Sequence, residues 1–155
     1  MNRTQSCPNG ERDGKFCACI YTIKLNVGDI CEFVFVDEGF TFQSNHPIHL
    51  HGTAFALMGI ERLKTSVTTN EIVEMDNKGL LRRNFHRPII KDTVTVPVGG
   101  YTILRFRADN PGTWMVHCHI EFHAEIGMAF LLKMYDYIII SILYIYKITK
   151  FLYSL

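Results

Sequence analysis

Six of the chain's seven histidines and one of its five cysteines fall in two short clusters. One reads His46-Pro47-Ile48-His49-Leu50-His51-Gly52; the other reads His117-Cys118-His119, followed by His123 and Met128. A Cys thiolate, two imidazoles and a Met thioether form a donor set that suits copper in an electron-transfer site. The other four histidines form two His-x-His pairs, more imidazole than one copper uses. A chain that supplies both sets offers ligands for several metals and a route between them.

Strand geometry sorts these residues. Side chains alternate faces along a strand, so His117 and His119 point one way and Cys118 the other. His49 and His51 share parity, and His46 has the opposite one. On this register His46 and Cys118 face one metal, joined by His123 in a trigonal plane with Met128 as a weak axial ligand. Gly127 permits a tight backbone approach just before Met128. His49, His51, His117 and His119 face a second site. Cys118 is bonded through the backbone to both neighbouring histidines, so an electron can cross over about two residues of strand, roughly 3.3 Å each.

Singly, each residue has a plainer reading. A lone His-x-His is more often a strand pair or a zinc site, and an isolated Met is usually core. Jointly the pattern favours copper, because zinc wants a closed four-ligand site and has no use for a His-Cys-His bridge. No catalytic residue is expected beyond the ligands. Asp92 is a candidate partner for a ligand histidine. His86 reads as a surface histidine, Trp114 and Met115 as core, and Glu121 and Glu125 as solvated helix carboxylates.

The elements that must position these ligands read as strands from Ile20 onward. Ile20 to Leu25, Ile30 to Val36, Thr53 to Leu63, Thr93 to Val96, Tyr101 to Arg107, Thr113 to Cys118 and Ala129 to Tyr135 are bounded by turn signals such as Val27-Gly28-Asp29 and Asp109-Asn110-Pro111-Gly112. Pro47 suggests a loop entering an edge strand. Thr68 to Glu71 has the form of a capping box, predicting a helix to Asn77 with Gly79 at its C-terminal turn. A second helical turn is expected after His119. Many short strands predict an all-β sandwich or barrel.

The 155 residues suffice for one domain with a real core, and a net charge of +1 gives no argument for nucleic acid. Residues 1–16 are polar and ill-defined and do not form a signal peptide. Cys7, Cys17, Cys19 and Cys31 could form bridges in an oxidising compartment or remain free thiols. The apolar tail 136–155 is too short in its uninterrupted run for the roughly 20 residues of a membrane span and is expected to lie outside the fold.

With these residues in place, the chain resembles the C-terminal domain of multicopper oxidases, closest to laccases and especially those of invertebrates. The likeness rests on the two histidine clusters, with His117 to Met128 reading HCHIEFHAEIGM, and extends to Asp37-Glu38-Gly39 and Lys91 to Pro97. The resemblance implies an all-β, cupredoxin-like Greek-key sandwich over 17–135, with one or two short helices. It assigns His46, Cys118, His123 and Met128 to a type 1 copper, His49 to a type 2 copper, and His51, His117 and His119 to a type 3 pair.

By that resemblance, single electrons from phenolic or similar small reductants reduce dioxygen to water at a trinuclear cluster. The family's upstream cupredoxin domains supply the other half of the cluster's histidines and are missing from this chain, which reads as a fragment of a secreted parent, complete only for type 1 copper and inactive alone. The rival expectations are a stand-alone blue-copper electron carrier and an inert truncated product.

Overall fold

The computed structural model describes residues 20–40 and 44–135, together with the backbone of a strand at 148–154. Ten strands and two short helices follow in chain order: β1 (Tyr21–Asn26), β2 (Ile30–Asp37), β3 (His46–Leu50), β4 (Phe55–Arg62), α1 (Thr69–Asn77), β5 (Ile89–Lys91), β6 (Thr93–Val96), β7 (Gly100–Arg107), β8 (Gly112–Cys118), α2 (Glu121–Glu125), β9 (Ala129–Tyr135) and β10 (Ile148–Ser154). They form two five-stranded sheets, β1-β9-β8-β3-β6 and β10-β2-β7-β4-β5. Consecutive strands repeatedly switch sheets, giving the cupredoxin-like Greek-key sandwich expected from the sequence.

The core between the sheets is aromatic and aliphatic. Phe33, Phe35, Phe106 and Phe130 meet there with Ile48, Leu50, Val116 and Cys118. Ring centroids of Phe33 and Phe106 lie 5.4 Å apart, and those of Phe33 and Phe130 lie 5.9 Å apart in an edge-on contact. A second, smaller core lies on the other face of the β2 sheet. Ile72 of α1 and Leu81 pack there on Val34, Val36, Tyr101 and Ile103. Because both its faces are covered, β2 reads as a near-continuous apolar run rather than an alternating one.

One charge interrupts that run. Glu32 is fully buried, with one carboxylate oxygen held by Arg83 and the other by Arg105 through Nη2 at 2.9 and 2.6 Å. Arg83 also reaches Asp76 of α1 at 2.6 Å, so the network ties the helix and the loop after it to the sheet.

The capping box read from Thr68 and Glu71 is present, and Gly79 has φ of +69° just past the helix. Two expectations are corrected. Pro47 does not mark an edge strand, since β3 pairs with both β6 and β8. The proline is tolerated because its carbonyl accepts from the N–H of His119, beyond the end of β8. Its missing N–H points to the same side, where the ladder has already ended. Met115 is exposed, because it shares the outward face of β8 with His117.

The strand Ile148–Ser154 pairs in parallel with β2, from Ile148 opposite Ile30 to Ser154 opposite Val36. This stretch of the tail therefore lies against the second sheet instead of apart from it. Cys31 is a free thiol at the centre of the core, pushed up to about 12 by burial and by the nearby Asp29 charge. Cys7, Cys17 and Cys19 lie outside the described residues.

Candidate metal centre

The two histidine clusters meet because β3 and β8 are neighbours in one sheet. Their antiparallel register sets Ile48 opposite Cys118 and His49 opposite His117. The pleat then sends the two ligand sets to opposite faces. His46, Ile48, Leu50, Val116 and Cys118 turn inward and are buried. His49 and His117 turn outward on the same two strands.

On the inner face, His46 Nδ1 lies 3.1 Å from His123 Nδ1, and Cys118 Sγ lies 3.8 Å from the first and 3.6 Å from the second. These three buried donors are the group among the described residues that could hold a metal ion together. Bond lengths of about 2.0 Å to imidazole and 2.3 Å to thiolate, in a trigonal plane, would separate nitrogen from nitrogen by roughly 3.5 Å and nitrogen from sulfur by roughly 3.7 Å. The donor triangle is therefore already close to the size a first-row metal requires.

His123 reaches this place through the loop after β8. Its N–H donates to the Ile120 carbonyl, and α2 turns the ring inward, where it is buried. Gly127, at φ of +110°, reverses the chain. Met128 then closes the loop: its N–H donates to the His123 carbonyl and its carbonyl accepts from the Cys118 N–H, both at 3.0 Å. The Met128 side chain is partly buried and packs on the sandwich core.

Asp37, at the end of β2, was not among the residues singled out as ligands or their partners. Its Oδ2 lies 3.3 Å from His46 Nε2, on the side of the ring away from Cys118. Burial lowers the affinity of His46 for a proton, opposed by Asp37 and reinforced by His123. Burial likewise raises the Asp37 carboxyl, against the Gly39 N–H and His46. Burial raises the Cys118 thiol, with the Ile120 N–H opposing. A bound cation would reverse this and hold the thiolate.

On the outer face, His49, His51, His117 and His119 are brought together. Nε2 of His51 and of His117 converge to 3.0 Å. Ring centroids of His49 and His51 are 4.6 Å apart, and those of His117 and His119 are 5.5 Å apart. A cavity of about 370 Å³ opens beside His49, His51, Gly52 and Asp92. Burial lowers His51, followed by the charges of His49, His117 and His119. Neutral imidazoles are the form that binds metals.

Hydrogen bonds fix two of these rings. His117 Nδ1 donates to the Cys118 carbonyl at 2.9 Å, since a carbonyl only accepts, leaving Nε2 with its lone pair. The Thr93 hydroxyl donates to Asp92 Oδ1 at 3.0 Å and so accepts from His49 Nδ1 at 2.8 Å. The Asp92 carbonyl lies 3.1 Å from the same nitrogen. His49 Nε2 is therefore also free. Asp92, read from the sequence as a candidate partner for an unspecified ligand histidine, meets His49 through its backbone and through Thr93. Gly52, at φ of +79°, packs on Trp114: a Cβ there would lie 2.0 Å from the indole. The indole N–H donates to the Asn110 carbonyl, and the Asn110 amide donates to the Gly52 carbonyl.

Comparison with known proteins points one way. The family described as multicopper oxidase matches residues 1–136. The chain is 40% identical to Laccase-10 of Arabidopsis thaliana over 112 residues, covering 71% of this chain and 18% of that protein. It is 33% identical to Laccase-14 of Oryza sativa subsp. japonica over 112 residues, covering 72% of this chain and 18% of that protein. Among solved structures, the laccase of Botrytis aclada superposes with a TM-score of 0.55 at 31% identity, over 72% of this chain and 19% of that one. Fet3p, a multicopper oxidase that functions in iron import, gives 0.55 at 30% identity over 73% of this chain and 21% of that one. The chain spans about a fifth of the length of each of these relatives. No helix among the described residues is long and apolar enough to cross a membrane.

Proposed function

This chain belongs to the multicopper oxidase family, and from that premise we propose that it is the C-terminal copper-binding domain of a laccase-like oxidase. His46, Cys118 and His123 would hold a type 1 copper, with Met128 as the weak axial donor. His49 would serve a type 2 copper, and His51, His117 and His119 a type 3 pair. Copper supplies one-electron redox chemistry at both places. The same proposal makes the parent a secreted laccase of the invertebrate kind whose other domains complete the cluster.

The observation that carries this reading is that two donor sets lie on opposite faces of one pair of strands, with Cys118 of the inner set joined along the chain to His117 and His119 of the outer set. The inner set is soft, dry and trigonal, which suits electron transfer without ligand rearrangement. The outer set is all imidazole, with two rings held so that Nε2 faces the shared space. The chain itself provides the path between them. Cys118 is bonded to His117 and His119 through single peptide units, and its carbonyl takes a second, hydrogen-bonded link from the His117 ring. Phenolic reductants and dioxygen are the substrate classes that the family implies for the whole protein.

The four outer imidazoles are half of a three-copper set. Copper titration of the full chain should therefore yield one tightly held ion with the intense visible absorption and narrow hyperfine splitting of a thiolate-bound copper. An oxygen electrode should record no sustained consumption with a phenol. Turnover at the rate of an intact laccase would refute the half-cluster reading. Metal binding without the thiolate absorption would refute the type 1 site.

A further inference from the structure

The Asp37-Glu38-Gly39 motif ends β2 but has no place in either donor set. Its three residues each make a specific contact. Asp37 is buried at 4% exposure and bridges the two sheets, since β2 belongs to one and His46 to the other. Its Oδ1 accepts from the Gly39 N–H at 2.8 Å, which fixes the carboxylate plane. Its Oδ2 has no well-aligned hydrogen bond among the described residues and lies 3.3 Å from His46 Nε2. Glu38 Oε1 accepts from both the N–H and the hydroxyl of Thr69 at the start of α1, at 2.7 and 2.8 Å. Gly39 has φ of +76°, and a Cβ there would lie 2.3 Å from the Thr65 carbonyl oxygen.

We propose that this corner is a positioning device for the type 1 site: Asp37 holds His46 with its proton on Nε2, turns the Nδ1 lone pair toward Cys118 and His123, and places a negative charge behind the ring that favours the oxidised metal. The inference rests on the copper reading above and deepens it.

The geometry requires this order. An imidazole can offer a metal only the nitrogen that carries no proton. A carboxylate at Nε2 fixes that proton and so selects Nδ1, the nitrogen already 3.8 Å from the Cys118 sulfur. Such carboxylate–histidine–metal arrangements orient the ring and raise its basicity. The contact at 3.3 Å is longer than the roughly 2.7–2.9 Å of a charge-assisted bond, so Asp37 acts on the ring chiefly through its charge and its place behind Nε2. Glu38 steadies the corner, because its side chain accepts from Thr69 at the start of α1 and its carbonyl accepts from the Val67 N–H.

Two substitutions separate orientation from charge. In Asp37→Asn the amide oxygen can still accept from Nε2, so the ring keeps its tautomer while the charge is lost. The potential of the copper-loaded chain should rise, shifting the oxidised-to-reduced ratio at fixed ambient potential about tenfold, which is 59 mV for one electron. In Asp37→Ala both are lost, and copper affinity should fall 10- to 100-fold. Nitrogen-15 NMR of the copper-free full chain reads the tautomer directly, without dependence on the metal. The His46 proton is expected on Nε2 in the unsubstituted chain and in Asp37→Asn, and shared between nitrogens in Asp37→Ala.

A proton on Nδ1 of His46 in the unsubstituted chain overturns the inference whether or not copper binds. So does an unchanged potential in Asp37→Asn when the unsubstituted chain shows the thiolate absorption. If the tautomer is as expected but the loaded chain lacks that absorption, the copper reading fails, and the role assigned to Asp37 fails with it.

Discussion

At the scale of single residues, the centre depends on which atom each side chain presents. His49 and His117 are both fixed at Nδ1, by a hydroxyl and by a carbonyl, so both present Nε2 outward. His46 is turned the other way round, with Nε2 beside Asp37 and Nδ1 beside the sulfur. The sequence showed the candidate donors but not these choices. The histidines and Cys118 stood out because they are rare residue types at short, regular spacing. Asp37 did not, because nine positions and a change of sheet separate it from His46. Thr93 was hidden by looking like an ordinary strand threonine.

Gly52 was visible in the motif, but its reason was not: the residue behind it, Trp114, lies far along the chain. Any side chain at position 52 must both adopt a left-handed backbone and displace the indole. Gly52→Ala should therefore lower unfolding stability by about 2 kcal/mol, read as a shift in the urea midpoint. A change within 0.5 kcal/mol would mean that the indole moves aside freely, which its hydrogen bond to the Asn110 carbonyl opposes.

At the scale of elements, periodicity carried most of the fold. Thr93 to Val96 and Ala129 to Tyr135 run as strands over the stretches read from alternation. Ile30 to Val36 was legible from its β-branched and aromatic content although it does not alternate. The short β5 was not foreseen, because three exposed residues carry no pattern. Pro47 misled for a local reason: the rule that removes proline from central strands concerns its missing donor, and here that donor would face a point beyond the end of β8.

Helix α1 shows a pH effect with a definite sign. The Glu71 carboxyl is lowered from 4.5 to about 2, first by the Lys64 ammonium and then by the N–H and hydroxyl of Thr68. The folded chain therefore holds fewer protons than the unfolded one between these values. The stabilisation is complete above about 4.5 and fades as pH falls toward about 2. Glu71→Gln should flatten the acid side of a melting-temperature profile over this range, and an unchanged slope would contradict the assignment. At neutral pH, Thr68→Ala should cost about 1 kcal/mol through loss of the cap.

The Glu32 network is the other test at this scale. Removing its charge leaves the Arg83 and Arg105 guanidiniums without the buried carboxylate they share. Glu32→Gln should cost roughly 3 kcal/mol by equilibrium unfolding, while leaving copper uptake unchanged because the network lies on the α1 side of the sheet. A loss of under 1 kcal/mol would show that solvent reaches the pair.

At the scale of the whole molecule, one sheet separates two chemical environments. Its inner face closes a small, dry, sulfur-containing site within the sandwich, and its outer face displays four imidazoles beside an open cavity. Strand alternation accomplishes this with two adjacent segments, which is why so much of the centre could be read from parity alone. What parity could not give is the return of His123 and Met128, which depends on α2, on the left-handed Gly127 and on the two hydrogen bonds that close the loop.

The central claim is that Cys118 and two imidazoles bind one copper on the inner face. X-ray absorption at the copper edge of the loaded full chain tests it most directly. The account predicts one sulfur at about 2.3 Å and two imidazole nitrogens at about 2.0 Å, with the short sulfur shell absent in Cys118→Ser. A first shell of nitrogen and oxygen alone in the unsubstituted chain, or a short sulfur shell that persists in Cys118→Ser, would contradict it.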